Sequence, residues 1–574
     1  QRHPHRGGHA IGHGQPDPKA SHPRVRRHRG RERWALGLLP GSGGRERAHH
    51  HGWLGAQPLR AGAAEEAQLL QTLRREQAGF PGRGGSRSGP SHRSFRGYQR
   101  QKNAPKAPVW GAIPRFNTDG TLANLPVSTS FSPSWTRWER TSGTAFASLS
   151  HQINDDWTFK ANLDHTTGKT HSLITYGYGA TPSDAPFIDK VTGSGVTLYA
   201  YPGEARETRN SLDAYLAGKL HLGGREHDLT VGVSSTRTLS KSDAFASTSN
   251  WRHDIANVHT WDGSAPKPAV SKTGARDDTL VQQTGLYASA RWRLTEPLSL
   301  LTGARVTRWT SKQKNHDTSG ALTGVSARQE VKHKVSPYLG VVYDITPSLA
   351  AYASHTRIFN PQDYRDVNNV PLKPAVGSNS EVGLKMALAH ELDLNLAIFE
   401  TKQDNFAVVN ADAAPNSLPD GSTPYRTVDG TKGKGFDVEL IGKVQPDWNL
   451  KAALTRAKVT RQESDQLWAN FPTWQLQLGS DYRFNGELRP LQLGGFLTWQ
   501  SKLEAYNVPS PSGRVYVTEK SKPLLDLYAS WDFTEAYRLT LAVTNALDKK
   551  YWANLDYANY GQPRFFSATF RMTF

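Results

Sequence analysis

The sequence predicts an all-β chain that forms a transmembrane antiparallel β-barrel. Three observations point to this fold class: an amphipathic strand at the C-terminus, a regular alternation of tight turns with long polar connections, and the lack of any apolar run of about 18 residues suited to a spanning helix. Only alternate residues of a barrel wall face lipid, so the mean hydropathy of −0.62 is compatible with a membrane location. The absence of cysteine excludes a disulfide scaffold and thiolate metal sites.

The C-terminal residues 565–574 form the clearest strand. Phe566, Phe570, Met572 and Phe574 fall on one face, and polar residues alternate with them. This pattern fits a wall strand with lipid on one side and water on the other. The terminal aromatic residue resembles the signal that delivers outer-membrane proteins to the barrel-assembly machinery, so these four residues are the expected signal. An amphipathic strand of a soluble sandwich would show the same local pattern.

Tight turns rich in Gly, Pro, Asn or Asp divide the chain after residue 144 into alternating strands. These turns lie at 154–156, 223–225, 295–297, 346–348, 390–391, 445–447, 485–487 and 534–536. The connections on the other side are longer, at 168–208, 238–280, 311–333, 360–379, 407–432, 461–470, 502–520 and 549–563. Short turns at one rim and long loops at the other are typical of outer-membrane barrels. About 17 strands are readable in this way.

The segment 1–96 differs from the rest of the chain. Residues 1–100 carry a net charge of +13 out of +19, and Lys19 is their single lysine. We interpret 1–96 as out-of-frame translation, with a disordered tail and an arginine-rich arm as alternatives. The start has no apolar signal segment, so the chain is expected to lack its true beginning. Residues 97–574 are assigned to the barrel, and no nucleic acid partner is predicted.

Several segments of the barrel region resemble the TonB-dependent siderophore receptors, in particular the ferric-coprogen, ferric-rhodotorulate and ferripyoverdine receptor group. The matching segments are 335–344, 351–356, 359–362, 377–385, 433–440, 543–551 and 560–564. The resemblance implies a barrel of 22 strands around an N-terminal plug, with the plug and about five strands not readable here. It also implies a truncated or frameshifted outer-membrane receptor that transports a ferric siderophore. The implied partners are the TonB energy-transducing complex, the barrel-assembly machinery and outer-membrane lipid.

The expected ligand site is an aromatic and basic bowl at the outer mouth. A ferric siderophore is a bulky preformed complex, so the protein supplies apolar walls and hydrogen-bond donors rather than iron ligands, and no cofactor or metal site is expected. The candidates are Trp135, Arg137, Trp138, Arg140, Tyr176, Tyr178, Tyr199, Tyr201, Trp251 and Trp261. Interfacial or loop packing is the alternative role for each of them. Trp292, Trp309, Trp499 and Trp531 lie within predicted strands and are expected in the girdle or wall.

The sequence shows no catalytic grouping, and the chain is not predicted to be an enzyme. It has no nucleophile elbow, no paired histidines on a helix face and no phosphate-binding glycine loop. Asp155 and Asp156 fit a solvated turn, and His49–His51 fall in the basic segment. Two other functions stay open: a passive porin, which would have about 16–18 strands, and a secreted carbohydrate-binding β-sandwich.

Overall fold

The computed structural model describes residues 92–573, apart from 109, 182–183, 249, 389–390, 420–421, 462–463, 468–470 and 556–557. Segment 1–91, including His49–His51, and the terminal Phe574 lie outside the described residues. No helix in the described part of the chain is long and apolar enough to span a membrane.

The described chain is almost entirely β-strand, with a short 3₁₀ turn at Gly486–Leu488. In chain order the strands are β1 (His92–Asn103), β2 (Arg137–Gln152), β3 (Trp157–Tyr178), β4 (Val196–Leu222), β5 (Arg225–Phe245), β6 (Arg252–Ile255), β7 (Lys272–Arg293), β8 (Leu298–His316), β9 (Leu322–Thr346), β10 (Leu349–Asn360), β11 (Ala375–Leu388), β12 (Leu392–Asp404), β13 (Phe406–Val409), β14 (Tyr425–Val428), β15 (Thr431–Gln445), β16 (Trp448–Arg461), β17 (Ser464–Leu467), β18 (Trp474–Arg483), β19 (Leu491–Gln500), β20 (Leu503–Ser510), β21 (Gly513–Glu519), β22 (Lys522–Asp532), β23 (Tyr537–Thr544), β24 (Trp552–Asn554), β25 (Asn559–Tyr560) and β26 (Phe565–Met572).

Twenty of these strands form one large antiparallel sheet. The short strands β6 and β17 pair with β4 and β16. The remaining strands follow one another as a meander, β1-β2-β3-β4-β5-β7-β8-β9-β10-β11-β12-β15-β16-β18-β19-β22-β23-β26. Within the described residues no pairing joins β1 to β26, so this part of the chain is an open sheet rather than a closed barrel.

The predicted tight turns coincide with the short connections at one rim of the sheet. At the β4–β5 turn, Gly223 and Gly224 have φ of 61° and 73°. Two consecutive residues with positive φ make a type I′ turn, whose twist matches that of a β-hairpin. The turn predicted at 390–391 falls partly outside the description, because residue 390 is not described.

The strands are longer, and more numerous by one, than the sequence pattern predicts. The predicted loop 168–208 is mostly strand, since β3 runs to Tyr178 and β4 begins at Val196. The count of about 17 omits β1, which pairs with β2 and begins at His92, before the boundary drawn at residue 97. Both stretches lack a period-2 pattern, for opposite reasons: β1 has polar residues on both faces, whereas 173–178 and 196–201 have apolar or aromatic residues on both faces.

One face of the sheet is apolar across many strands. Val306 lies opposite Leu286 on β7 and opposite Val335 on β9. Further along the sheet, Val382 lies opposite Ile398. Leu286 and Ile398 are both 64% exposed. A row of exposed apolar side chains this wide fits contact with lipid rather than water, and we call this the outward face.

Two rows of tryptophan bound the apolar part of the outward face. On β16, Trp448 lies near the short-turn rim, and Arg456, eight residues further on, is opposite Trp474. The same spacing occurs on β22. Trp531 lies near the short-turn rim, and Pro523, eight residues before it, is opposite Trp499 on β19. Eight residues of strand cover about 26 Å, comparable with the apolar band of about 25 Å in outer-membrane barrels.

The other in-strand tryptophans are divided between the two faces. Trp292 lies opposite Leu300, on the outward face, and its indole N–H donates to Thr302 Oγ1 at 2.9 Å. Trp309 lies opposite Gln283, on the inner face, and is 4% exposed. Trp499 and Trp531 therefore fit the girdle prediction, whereas Trp309 packs within the wall.

On the inner face, tyrosine rings lie flat over glycines of the neighbouring strand. Tyr287 is the direct partner of Gly232, and a Cβ added at that glycine would be 2.6 Å from Tyr287 Cζ. Tyr352 covers Gly383 in the same way, with 2.6 Å to Cε1. The same arrangement joins Tyr338 with Gly303 and Tyr528 with Gly494. The glycines leave room for rings that would otherwise project into the lumen.

Candidate functional site

The layer of loops at the long-loop rim is built on a compact apolar core. Its buried members are Ile113, Leu125, Phe131, Ile188, Val196, Leu198, Ile255 and Val258. Leu198 is 0% exposed and Ile188 is 1% exposed. These residues come from segment 104–136, from loop 179–195, from the outer end of β4 and from β6 with the loop after it. Because the core ties distant segments together, it holds the aromatic residues around it in fixed positions.

Four predicted tyrosines come together at the outer ends of β3 and β4. Tyr176 lies opposite Tyr199, with Tyr178 and Tyr201 on the same face of the hairpin. The Tyr176 and Tyr178 ring centroids are 4.8 Å apart, and those of Tyr178 and Tyr199 are 5.7 Å apart. Trp110 makes edge contacts with both Tyr176 and Tyr201 at 5.5 Å. The result is a five-ring aromatic cluster, of which the sequence analysis missed Trp110.

Trp135 and Trp251 form a second predicted pair. Their rings meet edge to face at 5.6 Å. The two indole N–H groups donate to adjacent carbonyls, at 2.8 Å to Ala265 and 3.1 Å to Pro266. Both rings are therefore fixed by the same stretch of loop.

Trp261 packs against the apolar core and lies 5.5 Å from the ring of His253. Its indole nitrogen is buried, and among the described residues it has no hydrogen-bond partner.

The remaining candidates lie lower on β2. The Arg140 guanidinium sits over the Trp138 ring at 4.3 Å, a cation–π contact. Trp138 lies opposite Ser172, and Ser172 lies on the same face of β3 as Tyr176. Trp138 is therefore on the face of the sheet that carries the tyrosine cluster. Arg137 lies opposite Leu173 and therefore points to the other face, away from the tyrosine cluster.

A cationic and aromatic cluster that the sequence analysis missed lies beside the same core. Trp552 and Tyr560 stack at 4.2 Å, and both pack against the core. The Arg115 guanidinium is 4.7 Å from the Trp552 ring, and Lys550 Nζ is 4.8 Å from the Tyr560 ring. Lys522 adds a third cation, 4.3 Å from the Tyr551 ring. Segment 543–551 entered the sequence analysis through its resemblance alone, and nothing in the pattern placed Arg115 next to it.

The surroundings of this cluster favour a negatively charged ligand. Arg115 is 8% exposed and Lys522 is 7% exposed. Lys522 contacts Glu519 at 3.6 Å. Lys550 instead donates to Asn124 Oδ1 at 2.9 Å. Burial lowers the pKa of Lys550 and raises the pKa of Tyr560. Three cations gathered against aromatic rings can attract a negatively charged group.

In the described part of the chain, no group of three His, Asp or Glu residues is arranged to hold a metal ion. The site offers aromatic walls, the indole N–H of Trp261 and cations. Such a site can hold a large anionic complex by its periphery.

The large antiparallel sheet with its apolar face and this loop layer fit the class of outer-membrane receptor β-barrel domains. Residues 78–546 match the family model described as TonB dependent receptor-like, beta-barrel, and the chain belongs to this family. The family consists of receptors and transporters rather than enzymes, and the chain is an outer-membrane protein.

Among curated proteins the chain resembles the ferripyoverdine receptor of Pseudomonas aeruginosa, with 32% identity over 480 residues, 82% of this chain and 56% of that protein. It is 28% identical over 491 residues to the ferric-pyoverdine BN7/BN8 receptor of Pseudomonas putida, covering 83% of this chain and 57% of that protein. The chain thus spans somewhat more than half the length of these relatives.

Solved structures give the same picture. The ferripyoverdine receptor of the outer membrane of Pseudomonas aeruginosa bound to ferripyoverdine matches with a TM-score of 0.74 and 29% identity, covering 85% of this chain and 63% of that chain. The ferric-catecholate import receptor Fiu of E. coli matches with a TM-score of 0.68 and 18% identity, covering 84% of this chain and 72% of that chain. At this identity the match shows the common fold alone.

Proposed function

We propose that this chain forms the barrel of a receptor that takes up a ferric siderophore across the outer membrane, with energy supplied through TonB. The observation that carries the proposal is the 32% identity to a ferripyoverdine receptor over 82% of the chain. Neither the porin nor the carbohydrate-binding alternative has comparable support. The iron is cargo inside its chelate, so the protein contacts the chelate and not the metal.

The loop layer supports this function through its chemistry. The tyrosine cluster around Tyr178 and the Trp135–Trp251 pair supply flat apolar surfaces for the body of a chelate. The cations near Trp552, namely Arg115 and Lys550, attract the negative charge that an iron chelate often carries.

We further propose that the open sheet is part of a closed transmembrane barrel. The apolar outward face and the two tryptophan rows support this, because both are needed all the way around a lipid-embedded wall. The edges of β1 and β26 would expose unpaired backbone groups, which lipid cannot satisfy.

The test is binding and uptake of ⁵⁵Fe-labelled ferripyoverdine by iron-starved cells that express the receptor. We expect saturable binding, and uptake that stops when the proton-motive force is collapsed. Arg115→Gln combined with Lys550→Gln should weaken binding about tenfold or more, because one buried and one exposed positive charge are lost. Lys443→Gln, which removes an exposed cation paired with Glu391 near the short turns, should leave binding unchanged.

Unsaturable passage of small solutes that persists without the proton-motive force would refute the receptor and indicate a passive pore. Binding by the double variant equal to that of Lys443→Gln would refute the assignment of the cationic cluster to the ligand site.

A further inference from the structure

Segment 549–562, between β23 and β26, folds into an irregular hairpin that carries three aromatic rings. The backbone amide of Gly561 donates to the carbonyl of Tyr551 at 2.8 Å. Trp552 and Tyr560 lie opposite each other in the short strands β24 and β25, and their rings stack. The two sides of this hairpin therefore hold each other in register, and we call segment 549–562 the outer hairpin.

The three rings of the outer hairpin carry the cationic and aromatic cluster of the loop layer. Arg115 reaches its ring from a distant segment, Lys522 from the start of β22, and Lys550 from the hairpin itself. The three distances from charge to ring centroid lie between 4.3 and 4.8 Å. A cation–π contact requires the charge within about 6 Å of the ring. The relative positions of the three charges therefore depend on where the outer hairpin is held.

Asn545 closes the base of the outer hairpin. Its side-chain Nδ2 donates to the carbonyl of Lys549 at 3.0 Å and to the carbonyl of Gln562 at 2.9 Å, at the two ends of the hairpin. Its Oδ1 accepts from the backbone amide of Lys549 at 2.9 Å. Its own backbone amide donates to Asp526 Oδ1 on β22 at 2.8 Å. One residue thus joins both ends of the hairpin and anchors them to the sheet.

Burial and backbone conformation both suit Asn545 to this position. The residue is 4% exposed, so its three side-chain hydrogen bonds are shielded from competing water. Its φ is 46°, a conformation that asparagine and glycine adopt more readily than other residues. Glycine has no side chain to donate or accept, whereas the asparagine amide does both. A further contact at the base, from the amide of Arg564 to Asp548 Oδ1 at 3.0 Å, is exposed to solvent and therefore weaker.

We propose that Asn545 is a positioning residue for the ligand site, acting through the outer hairpin on the cationic and aromatic cluster. The role rests on the proposed function, since it assumes that this cluster contacts the chelate. While Asn545 holds both ends of the hairpin, the rings and the cations of three segments form one surface. Without its hydrogen bonds the base of the hairpin opens, and the rings leave the cations that come from elsewhere in the chain.

The experiment compares Asn545→Gly with Asn416→Gly. Glycine adopts the φ of residue 545 without strain, so the first substitution removes the three side-chain hydrogen bonds and adds no charge. Asn416 is the matched control, because it also has a positive φ, 58°, and lies exposed in the loop between β13 and β14. Its side chain accepts a hydrogen bond from Thr423 at 3.1 Å.

Hydrogen exchange followed by mass spectrometry reports on the hairpin without any ligand. Asn545→Gly should raise the opening of segment 549–562 about 100-fold, because each lost hydrogen bond contributes a factor of about five. Exchange in β7–β12 should stay unchanged, and Asn416→Gly should leave segment 549–562 as it is. If the glycine variant does not fold, Asn545→Asp gives the same test, since it keeps the acceptor and loses both donated hydrogen bonds.

Binding of ⁵⁵Fe-labelled ferripyoverdine separates positioning from general destabilisation. Asn545→Gly should weaken binding about tenfold, because the open hairpin is not competent to bind, and Asn416→Gly should leave it unchanged. In protein that already carries Arg115→Gln and Lys550→Gln, adding Asn545→Gly should weaken binding much less than tenfold. The charges that the hairpin positions are then already lost, so the effects are not additive.

Equal exchange of segment 549–562 in the two glycine variants would overturn the role of Asn545 in closing the hairpin. Losses of binding that multiply in the triple variant would show that Asn545 acts independently of the cluster, and would overturn the positioning role. Absence of saturable binding by the unmodified protein would refute the proposed function, and the role in ligand binding with it. The exchange comparison uses no ligand, so it distinguishes this outcome from a failure of the hairpin contact.

Discussion

Replacing Leu198 by alanine tests whether the ligand site depends on the apolar core beneath it. Leu198 is 0% exposed and packs in the cluster that contains Ile113 and Ile255. Truncating a fully buried leucine costs about 2.7–5 kcal/mol, because the transfer free energy of the lost methyl groups adds to the cost of the cavity. The core belongs to the loop layer. The substitution should therefore lower the free energy of local opening of that layer and leave the stability of the sheet strands unchanged.

A cost of about 3 kcal/mol multiplies the equilibrium constant for opening by about 150. Affinity for ferripyoverdine should fall in proportion once the open state becomes the major one. Hydrogen exchange followed by mass spectrometry should show faster exchange in peptides covering 112–131 and 186–198, with β7–β12 unchanged. The control is Leu286→Ala, since Leu286 is 64% exposed on the outward face. Unchanged exchange in the loop peptides of the Leu198 variant, or the same change in the control, would refute the reasoning.

Two further predictions concern a turn and a carboxylate. Gly224→Ala should destabilise the β4–β5 hairpin by about 1–2 kcal/mol in urea titrations, because φ is 73° at this position although a Cβ would have free space. The control is Gly324→Ala, which has the same free space and no positive φ and should leave stability unchanged. Equal effects of the two substitutions would contradict this cause. Hydrogen bonds from Lys190 and Thr121 hold the pKa of Asp119 below its usual value of 3.8. The contact of Asp119 with Lys190 (2.7 Å) should therefore persist at neutral pH and weaken as the pH falls below about 4. The weakening should appear as faster hydrogen exchange in 117–123 at low pH. Asp119→Asn should abolish this dependence on pH.

The features of the fold that the sequence predicts are those with a local period. The wall strands near the apolar band alternate, as at Leu392, Leu394 and Leu396, and the tight turns carry glycine, proline or asparagine. The all-β class, the meander and the positions of the turns follow from these two signals. β1 carries polar residues on both faces, and the outer ends of β3 and β4 carry apolar or aromatic residues on both, so none of these stretches shows the period-2 alternation that predicts a strand.

The candidate site is predictable where aromatic residues alternate within one hairpin. Tyr176 and Tyr178 lie on one strand, and Tyr199 and Tyr201 lie on the next, so a tight hairpin brings them together. The contact of Arg115 with Trp552 joins residues more than 400 positions apart, one in segment 104–136 and one in the short strand β24, and no local rule relates them. Trp110 was missed for the same reason, because it reaches the tyrosines from segment 104–136.

The tyrosines that lie over glycines on the inner face have a consequence for how the sequence can change over time. Gly232 accepts no larger side chain while the ring of Tyr287 occupies the place of its Cβ, and Gly383 depends on Tyr352 in the same manner. Each such glycine can therefore be exchanged only after, or together with, the tyrosine across from it. These positions should be inherited as couples, and a graft that moves one strand between related barrels should succeed when both members of each couple move with it.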